Sequence, residues 1–196
     1  MTPDVSAHAG IHAPKPSLVV VSGAPGSGKS TLARALADAI HCPMVSRDQV
    51  LEGLRHTCRD ASAPPGNAAE IANGAFFACV NVLLQAGVSV VIEAAFQHRL
   101  WAPALVTLGP HADIRVVRCI IDPGLALRRM ALRLQQQPWR LDVHQDAQYL
   151  NQKLRDAPAI APFNHVALDV PTLDVDTTDA YSPALDVVVR FVQGAR

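Results

Sequence analysis

Between Gly23 and Thr31 the chain reads Gly23-Ala24-Pro25-Gly26-Ser27-Gly28-Lys29-Ser30-Thr31, three glycines ahead of one lysine and two hydroxyls. Residues of these types at this spacing can enclose a polyanion. Glycines let successive backbone N–H groups curl inward without Cβ clashes. A helix starting after them turns its unpaired N–H groups and the positive end of its dipole toward the same point. Lys29 can then bridge two phosphate groups, and the Ser30 hydroxyl can ligate Mg²⁺. The segment satisfies G-x-x-x-x-G-K-[ST] at every defined position, the Walker A pattern, so a nucleoside triphosphate with Mg²⁺ is the expected ligand.

Other side chains could complete a reaction. Asp48 follows a short apolar segment and could accept the proton of an acceptor hydroxyl; it could equally N-cap a helix beginning near Gln49. Glu93 ends Val90-Val91-Ile92, a Walker B-like placement able to hold a magnesium-bound water, to contact an acceptor, or simply to end a strand in solvent. Arg128, Arg129 and Arg133 lie in one segment, with Arg140 beyond. Arg129 and Arg133 are four apart and share a helical face, so they could clamp phosphates, whereas Arg128 reads as solvated. The four cysteines form no C-x-x-C pair and the eight histidines have no zinc spacing, so buried thiols and surface or tail histidines are expected. Gly26-Ser27-Gly28 belongs to the phosphate loop, not to a hydrolase nucleophile elbow. Trp101 and Trp139 read as packing residues.

The elements that must position these residues follow from hydrophobic pattern. Leu18–Val21 is a short β-branched run suited to a strand buried on both faces. Leu32, Leu36 and Ile40 then recur at helical spacing. Met44–Ser46 is a second strand, and Leu51 to Asn67, with Pro64-Pro65-Gly66, reads as an insertion. Ile71, Ala75, Cys79 and Val82 share a face of a helix over 68–85, closed by Gly87. Val88–Ile92 is the third strand and Leu100–Leu108 a helix containing Pro103. Ile114–Ile121 is the fourth strand, and Asp122-Pro123 opens a helix reaching about Gln137. Pro138–His165 is polar and lid-adjacent, with a helix within Asp146–Leu154. Val166–Asp169 and Leu173–Asp176 read as strand pieces, and Ser182-Pro183 as the start of a last helix with Leu185, Val188, Val189 and Val192 inward.

Alternating strands and helices imply an α/β chain with a mostly parallel sheet. The 196 residues suffice for one domain, read as a loose N-terminal tail over 1–16 and a single domain over 17–196. Lysine plus arginine equals aspartate plus glutamate at 17 each, so no overall field draws in nucleic acid or an anionic membrane. The tail has no signal-peptide pattern and no uninterrupted apolar run approaches the roughly 20 residues of a membrane helix. A cytoplasmic chain with reduced thiols is expected.

Taken together, Gly23–Thr31, Ser46-Arg47-Asp48, Ile92–Arg99 and Asp122…Arg129…Arg133 resemble the small AAA-type P-loop kinases. These include polynucleotide kinase, chloramphenicol phosphotransferase and zeta-toxin-like proteins. The resemblance implies a three-layer P-loop NTPase fold of the nucleoside-monophosphate-kinase kind, with a parallel sheet in order 2-3-1-4-5, helices on both faces and a small lid. It implies ATP as phosphoryl donor, a hydroxyl-bearing small-molecule acceptor, Asp48 as the acceptor-activating carboxylate, Arg129 and Arg133 as lid arginines, Arg99 near the acceptor, and Val175–Asp179 as a loop bordering adenine. Relatives commonly have Asp where Glu93 stands. No N-K-x-D guanine-reading motif occurs, which favours ATP. A nucleotide-dependent switch without a small acceptor and a toxin-like kinase acting on a nucleotide sugar are the other readings.

Overall fold

A computed structural model of the chain describes residues 14–58, 67–144, 146–155 and 163–194. Five strands form one all-parallel sheet in the order β2-β3-β1-β4-β5. They are β1 (Ser17–Gly23), β2 (Met44–Ser46), β3 (Val90–Ala94), β4 (Asp113–Ile120) and β5 (Thr172–Asp176). This is the three-layer fold and strand order that the family resemblance implied. Leu18 to Val21 are at most 1% exposed, because helices cover both faces of the central strand.

One layer packs Leu18, Val20, Ile92 and Val116 under Phe76, Val80 and Leu84 of α3 (Ala68–Gln85) and Leu105 of α4 (His98–Val106). The other packs Val19, Val21, Val91, Val117 and Val175 against Leu32 and Leu36 of α1 (Lys29–Ala39) and Val188 and Val192 of α8 (Leu185–Val192). Successive strand residues therefore serve opposite layers, as the period of two requires. Pro16 is tied to the sheet edge, its carbonyl accepting from Asp113 N at 2.9 Å. Residues 1–13 of the expected tail, and Ala61–Gly66, lie outside the described residues.

Four sequence readings change. The first part of Leu51–Asn67 is not an insertion: residues 51–57 belong to α2 (Arg47–Thr57), whose Leu51 packs on Ala68 and Ala72 of α3. The face of α3 that carries Ile71 and Val82 is turned outward, with those side chains 40% and 65% exposed. The buried face is Ala72, Phe76, Val80 and Leu84. This helix is apolar all round, and aromatic packing decides the matter: Phe76 meets Phe96 with centroids 6.2 Å apart and Phe77 meets Trp101 at 5.8 Å. By length and composition α3 could cross a membrane, but its inner face is the core of the domain. Val166–Asp169 is not a strand, although Val166 is buried. The last helix begins at Leu185, with Ala184 at its N-cap, rather than at Ser182-Pro183.

Candidate active site

The phosphate loop leaves β1 at Gly23 and enters α1 at Lys29. Gly26 and Gly28 adopt φ of +82° and +80°, left-handed conformations that favour glycine. Space dictates glycine as well. A Cβ on Gly26 would stand 2.1 Å from the Ala126 carbonyl oxygen, and one on Gly23 would stand 2.4 Å from Ser27 Oγ and 2.9 Å from Cys119 Cβ. The Ala126 carbonyl belongs to α5 (Pro123–Gln136), so the loop is packed directly on that helix. At the start of α1 no side chain caps the helix and no acid occupies the first turn. Its N-terminal donors and its dipole are open to an anion.

A second brace comes from the far end of the chain. Thr177 is 6% exposed, and its hydroxyl donates to the Ser27 carbonyl at 2.7 Å. Its own N–H donates to the Ile120 carbonyl at 3.0 Å. The loop after β5 is thereby fastened to the phosphate loop, on the stretch of the expected adenine-bordering segment.

The register of the sheet brings the acid residues to the same end. Val21, Glu93 and Ser46 are paired across β1, β3 and β2. Ser46 Oγ donates to Glu93 Oε2 at 2.8 Å, and Lys29 Nζ lies 3.6 Å from Glu93 Oε1. Glu93 is 1% exposed, so the solvated strand end considered above is ruled out. Its Oε1 accepts no hydrogen bond and faces Lys29 only as an ion pair. A buried carboxylate oxygen lacking a hydrogen bond beside a lysine, with the Ser30 hydroxyl at the head of α1, suits a hydrated divalent cation next to a triphosphate.

Asp48 sits in the first turn of α2, after Ser46 at the N-cap. The helix starts two residues earlier than the sequence suggested, so Asp48 does not cap it and its carboxylate is left for the cavity in front. Burial alone would raise its pKa. The positive charges of Lys29, His144, Arg47 and Arg140 outweigh that and hold the carboxyl below the ordinary aspartate value. Arg47 Nη1 approaches Asp48 Oδ1 at 3.4 Å while Arg47 Nε donates to Asn73 Oδ1 at 2.9 Å, which fixes the pair against α3.

The cavity between the phosphate loop and α2 has a volume of about 290 Å³. Lys29, Arg47, Asp48, Arg55, Arg133, His144 and Tyr149 are its charged or titratable walls. A neighbouring cavity of about 290 Å³ is mostly apolar; it shares Pro25 and Tyr149 with the first and continues to Leu127 and Phe163. Cys119 lies behind the loop, and burial pushes its thiol up to about 12, a protonated packing group rather than a nucleophile.

Arg129 and Arg133 of α5 part company. Arg133 lines the charged cavity with Lys29 and Asp48. Arg129 turns to the β5–α8 connection, donating from Nη1 to the Thr177 carbonyl at 3.0 Å and from Nη2 to the Thr178 carbonyl. Arg99 is exposed on α4. Sequence reasoning missed Glu52 and His144. Glu52 Oε1 is 2.8 Å from His144 Nε2 and 3.4 Å from Arg140 Nη1, which ties α2 to α6 (Arg140–Val143) and its C-cap. His144, read from sequence as a surface residue, has a side chain only 6% exposed. Nothing in a polar, proline-punctuated stretch signalled that partner.

With this geometry in view, the family model described as AAA domain matches residues 18–155. No curated protein matches the chain. Among solved structures, a candidate kinase from Chloroflexus aurantiacus is similar with a TM-score of 0.73 and 22% identity, over 93% of this chain and 99% of that one. A sugar kinase from a Janibacter species gives 0.56 and 18%, over 92% of each. The APS kinase of Mycobacterium tuberculosis, in complex with AMPPNP and APS, gives 0.55 and 17%, over 93% and 98%. At these identities the likeness speaks for a shared fold.

Proposed function

Since this chain belongs to the AAA domain family, among its small P-loop kinases, we propose that it transfers the γ-phosphoryl group of ATP to a hydroxyl of a small-molecule acceptor. One observation carries the reading: Asp48, its carboxyl held in the ionised range by surrounding cations, lines the same cavity as Lys29 of the phosphate loop. A carboxylate so placed can take the acceptor's proton while a lysine holds the donor.

The backbone donors of Gly23–Thr31 and the Lys29 ammonium bind the polyphosphate. Ser30, and Glu93 through water, would hold Mg²⁺, which when bound draws charge from the phosphate oxygens. To reach the phosphates Lys29 need only exchange its 3.6 Å contact with Glu93 for phosphate oxygens. The acceptor oxygen forms its bond to the γ-phosphorus as the bond to the ADP oxygen breaks, and the hydroxyl proton passes to Asp48. Arg133 stabilises charge on the transferring group from the α5 side. Arg129 positions the Thr177–Thr178 backbone and so the loop beside the nucleotide. Its contribution to closing over the phosphates would require it to leave those carbonyls.

Labelled ATP offered with sugars, antibiotics, nucleosides and 5′-hydroxyl oligonucleotides tests the proposal. Transfer to a small alcohol is the expected result. Hydrolysis that no acceptor alters would instead favour a nucleotide-dependent switch, and transfer to oligonucleotide alone would reverse the assignment of the acceptor.

A further inference from the structure

The apolar cavity beside the reaction cavity is too large to be a packing fault. Folded interiors hold few voids larger than a water molecule, yet this one measures about 290 Å³. Its walls include Ile120 and Ile121 at the end of β4, Ala126 and Leu127 of α5, and Phe163 with His165. Among the described residues no aspartate, glutamate, lysine or arginine lines it. Burial, and after it the charge of Arg118, lowers the His165 imidazole below the ordinary 6.5 against an opposing pull from Asp174, so the ring is mostly uncharged at pH 7. The wall that carries Phe163 and His165 is fixed. Val166 N–H donates to the Phe96 carbonyl at 3.0 Å, and Gln97 and His165 form an antiparallel bridge. The two rings meet edge to face with centroids 4.8 Å apart. Pro25 and Tyr149 line both this cavity and the charged one, so a molecule whose hydroxyl stands at Asp48 can continue past them into the apolar space. The adenine base belongs elsewhere: none of residues 175–179, the segment expected beside it, lines this cavity.

We infer that the acceptor is an alcohol carrying an aryl group, whose hydroxyl meets Asp48 in the charged cavity while its ring fills the apolar one against Leu127 and Phe163. The inference rests on the phosphotransfer reading above and names its substrate class. Taking an aromatic ring out of water is the main gain, and the rings of Phe163 and His165 favour another ring beside them. A polyol in the same place would lose the water on its hydroxyls with no charged partner to replace it. Each cavity alone is at the small end of ligand sites, and the two together fall within the roughly 300–1,000 Å³ of such sites. In the reaction the alcohol oxygen bonds to the γ-phosphorus, the bond to ADP breaks and the proton goes to Asp48; the aryl group is a handle and does not react.

The test begins with the protein saturated with Mg²⁺ and a non-hydrolysable ATP analogue, so that the donor site is filled. 2-Phenylethanol titrated into this complex and followed by saturation-transfer NMR should bind without displacing the analogue. Phe163→Ala should weaken that binding about fivefold or more, and Phe163→Leu, which keeps much of the apolar wall, by less. Leu127→Ala trims a second wall and should weaken it likewise. Affinity for the analogue should stay within about twofold in all three variants, which also reports on their folding. No phenylethanol binding by the saturated wild type, or equal binding by Phe163→Ala and Leu127→Ala, would overturn the inference. Displacement of the analogue from the wild type would overturn it too, by placing the adenine base in this cavity. The second arm compares 2-phenylethanol, ethanol, glucose and a 5′-hydroxyl oligonucleotide as acceptors of label from ATP. Preference for 2-phenylethanol supports the inference. Equal or better transfer to ethanol or glucose overturns it while the kinase reading stands, and transfer to the oligonucleotide alone overturns the small acceptor. Absence of transfer to all four sinks the phosphotransfer reading and the acceptor assignment with it, even where phenylethanol binds.

Discussion

The phosphate loop and the cavity in front of α2 share Lys29 and Pro25, yet they are built on opposite principles. The loop is one continuous run of backbone. Its shape is forced by two left-handed glycines and by contacts so close that a single Cβ would reach 2.1 Å from a carbonyl of α5. The cavity is assembled from the head of α1, the length of α2 from Arg47 to Arg55, from α3, α5 and α7 (Asp146–Arg155), and from the connections between them. Its chemistry resides in long arginine side chains and one carboxylate. A backbone site tolerates no change in its own atoms, whereas a side-chain site can be retuned residue by residue. The difference suits a fixed donor and an acceptor that varies between proteins of similar fold.

The largest effect should follow from attacking the backbone site. Gly26→Ala forces a Cβ into the Ala126 carbonyl and strains a φ of +82°, and calorimetry with Mg²⁺ and ATP should show binding weakened at least 100-fold or lost. Near-normal binding would mean that loop and α5 separate freely.

Asp48→Asn comes next and should act on one side of the comparison only. It keeps size and polarity but removes the base, so kcat should fall roughly 100-fold or more while ATP affinity stays within about twofold. Transfer at the wild-type rate would remove Asp48 from its role.

The pH profile sharpens the same point with a smaller effect. Asp48 is active as the carboxylate, and its pKa lies below the ordinary 3.8 because neighbouring cations outweigh burial. The rate should therefore show no loss from this group as pH falls from 7 to about 5, with the acid limb appearing below 3.8. The sign for stability agrees: ionised Asp48 stabilises the fold above the unfolded value, and that contribution goes as pH falls through the lower folded value. An acid limb centred near pH 6 and abolished in Asp48→Asn would show that the cations do not govern this carboxyl.

The smallest effect belongs to the brace between loop and chain end. Thr177→Val removes the 2.7 Å bond to the Ser27 carbonyl, worth about 1 kcal/mol. The KM for ATP should rise a few-fold with kcat little changed, and an unaltered KM would show that the brace has no part in nucleotide binding.

This contrast also explains what could be read from the residues alone. A contiguous backbone site is a contiguous pattern, so Gly23–Thr31 was legible, as were the strand run before it and the sheet order implied by the resemblance. Asp48 and Glu93 were visible because each comes just after a short apolar run. The cavity's walls were not. Glu52 and His144 are 92 residues apart and meet only in the fold. Arg129 and Arg133 share a helical face, but spacing could not foretell that one would engage backbone carbonyls and the other the cavity. On α3 both faces are apolar, so periodicity singled out Ile71 and Val82 while Phe76 and its aromatic neighbours took the core. The start of α2 was misplaced because Ser46, its N-cap, gives its hydroxyl to Glu93 across the sheet and makes no side-chain cap bond.

A crystal structure with Mg²⁺ and a non-hydrolysable ATP analogue tests the central claim most directly. The expected result has the triphosphate on the amides of Gly23–Thr31, Lys29 Nζ moved from Glu93 onto phosphate oxygens, and Asp48 facing the γ-phosphorus across an open gap of acceptor size. A triphosphate lying elsewhere, or a γ-phosphate turned away from Asp48, would contradict it.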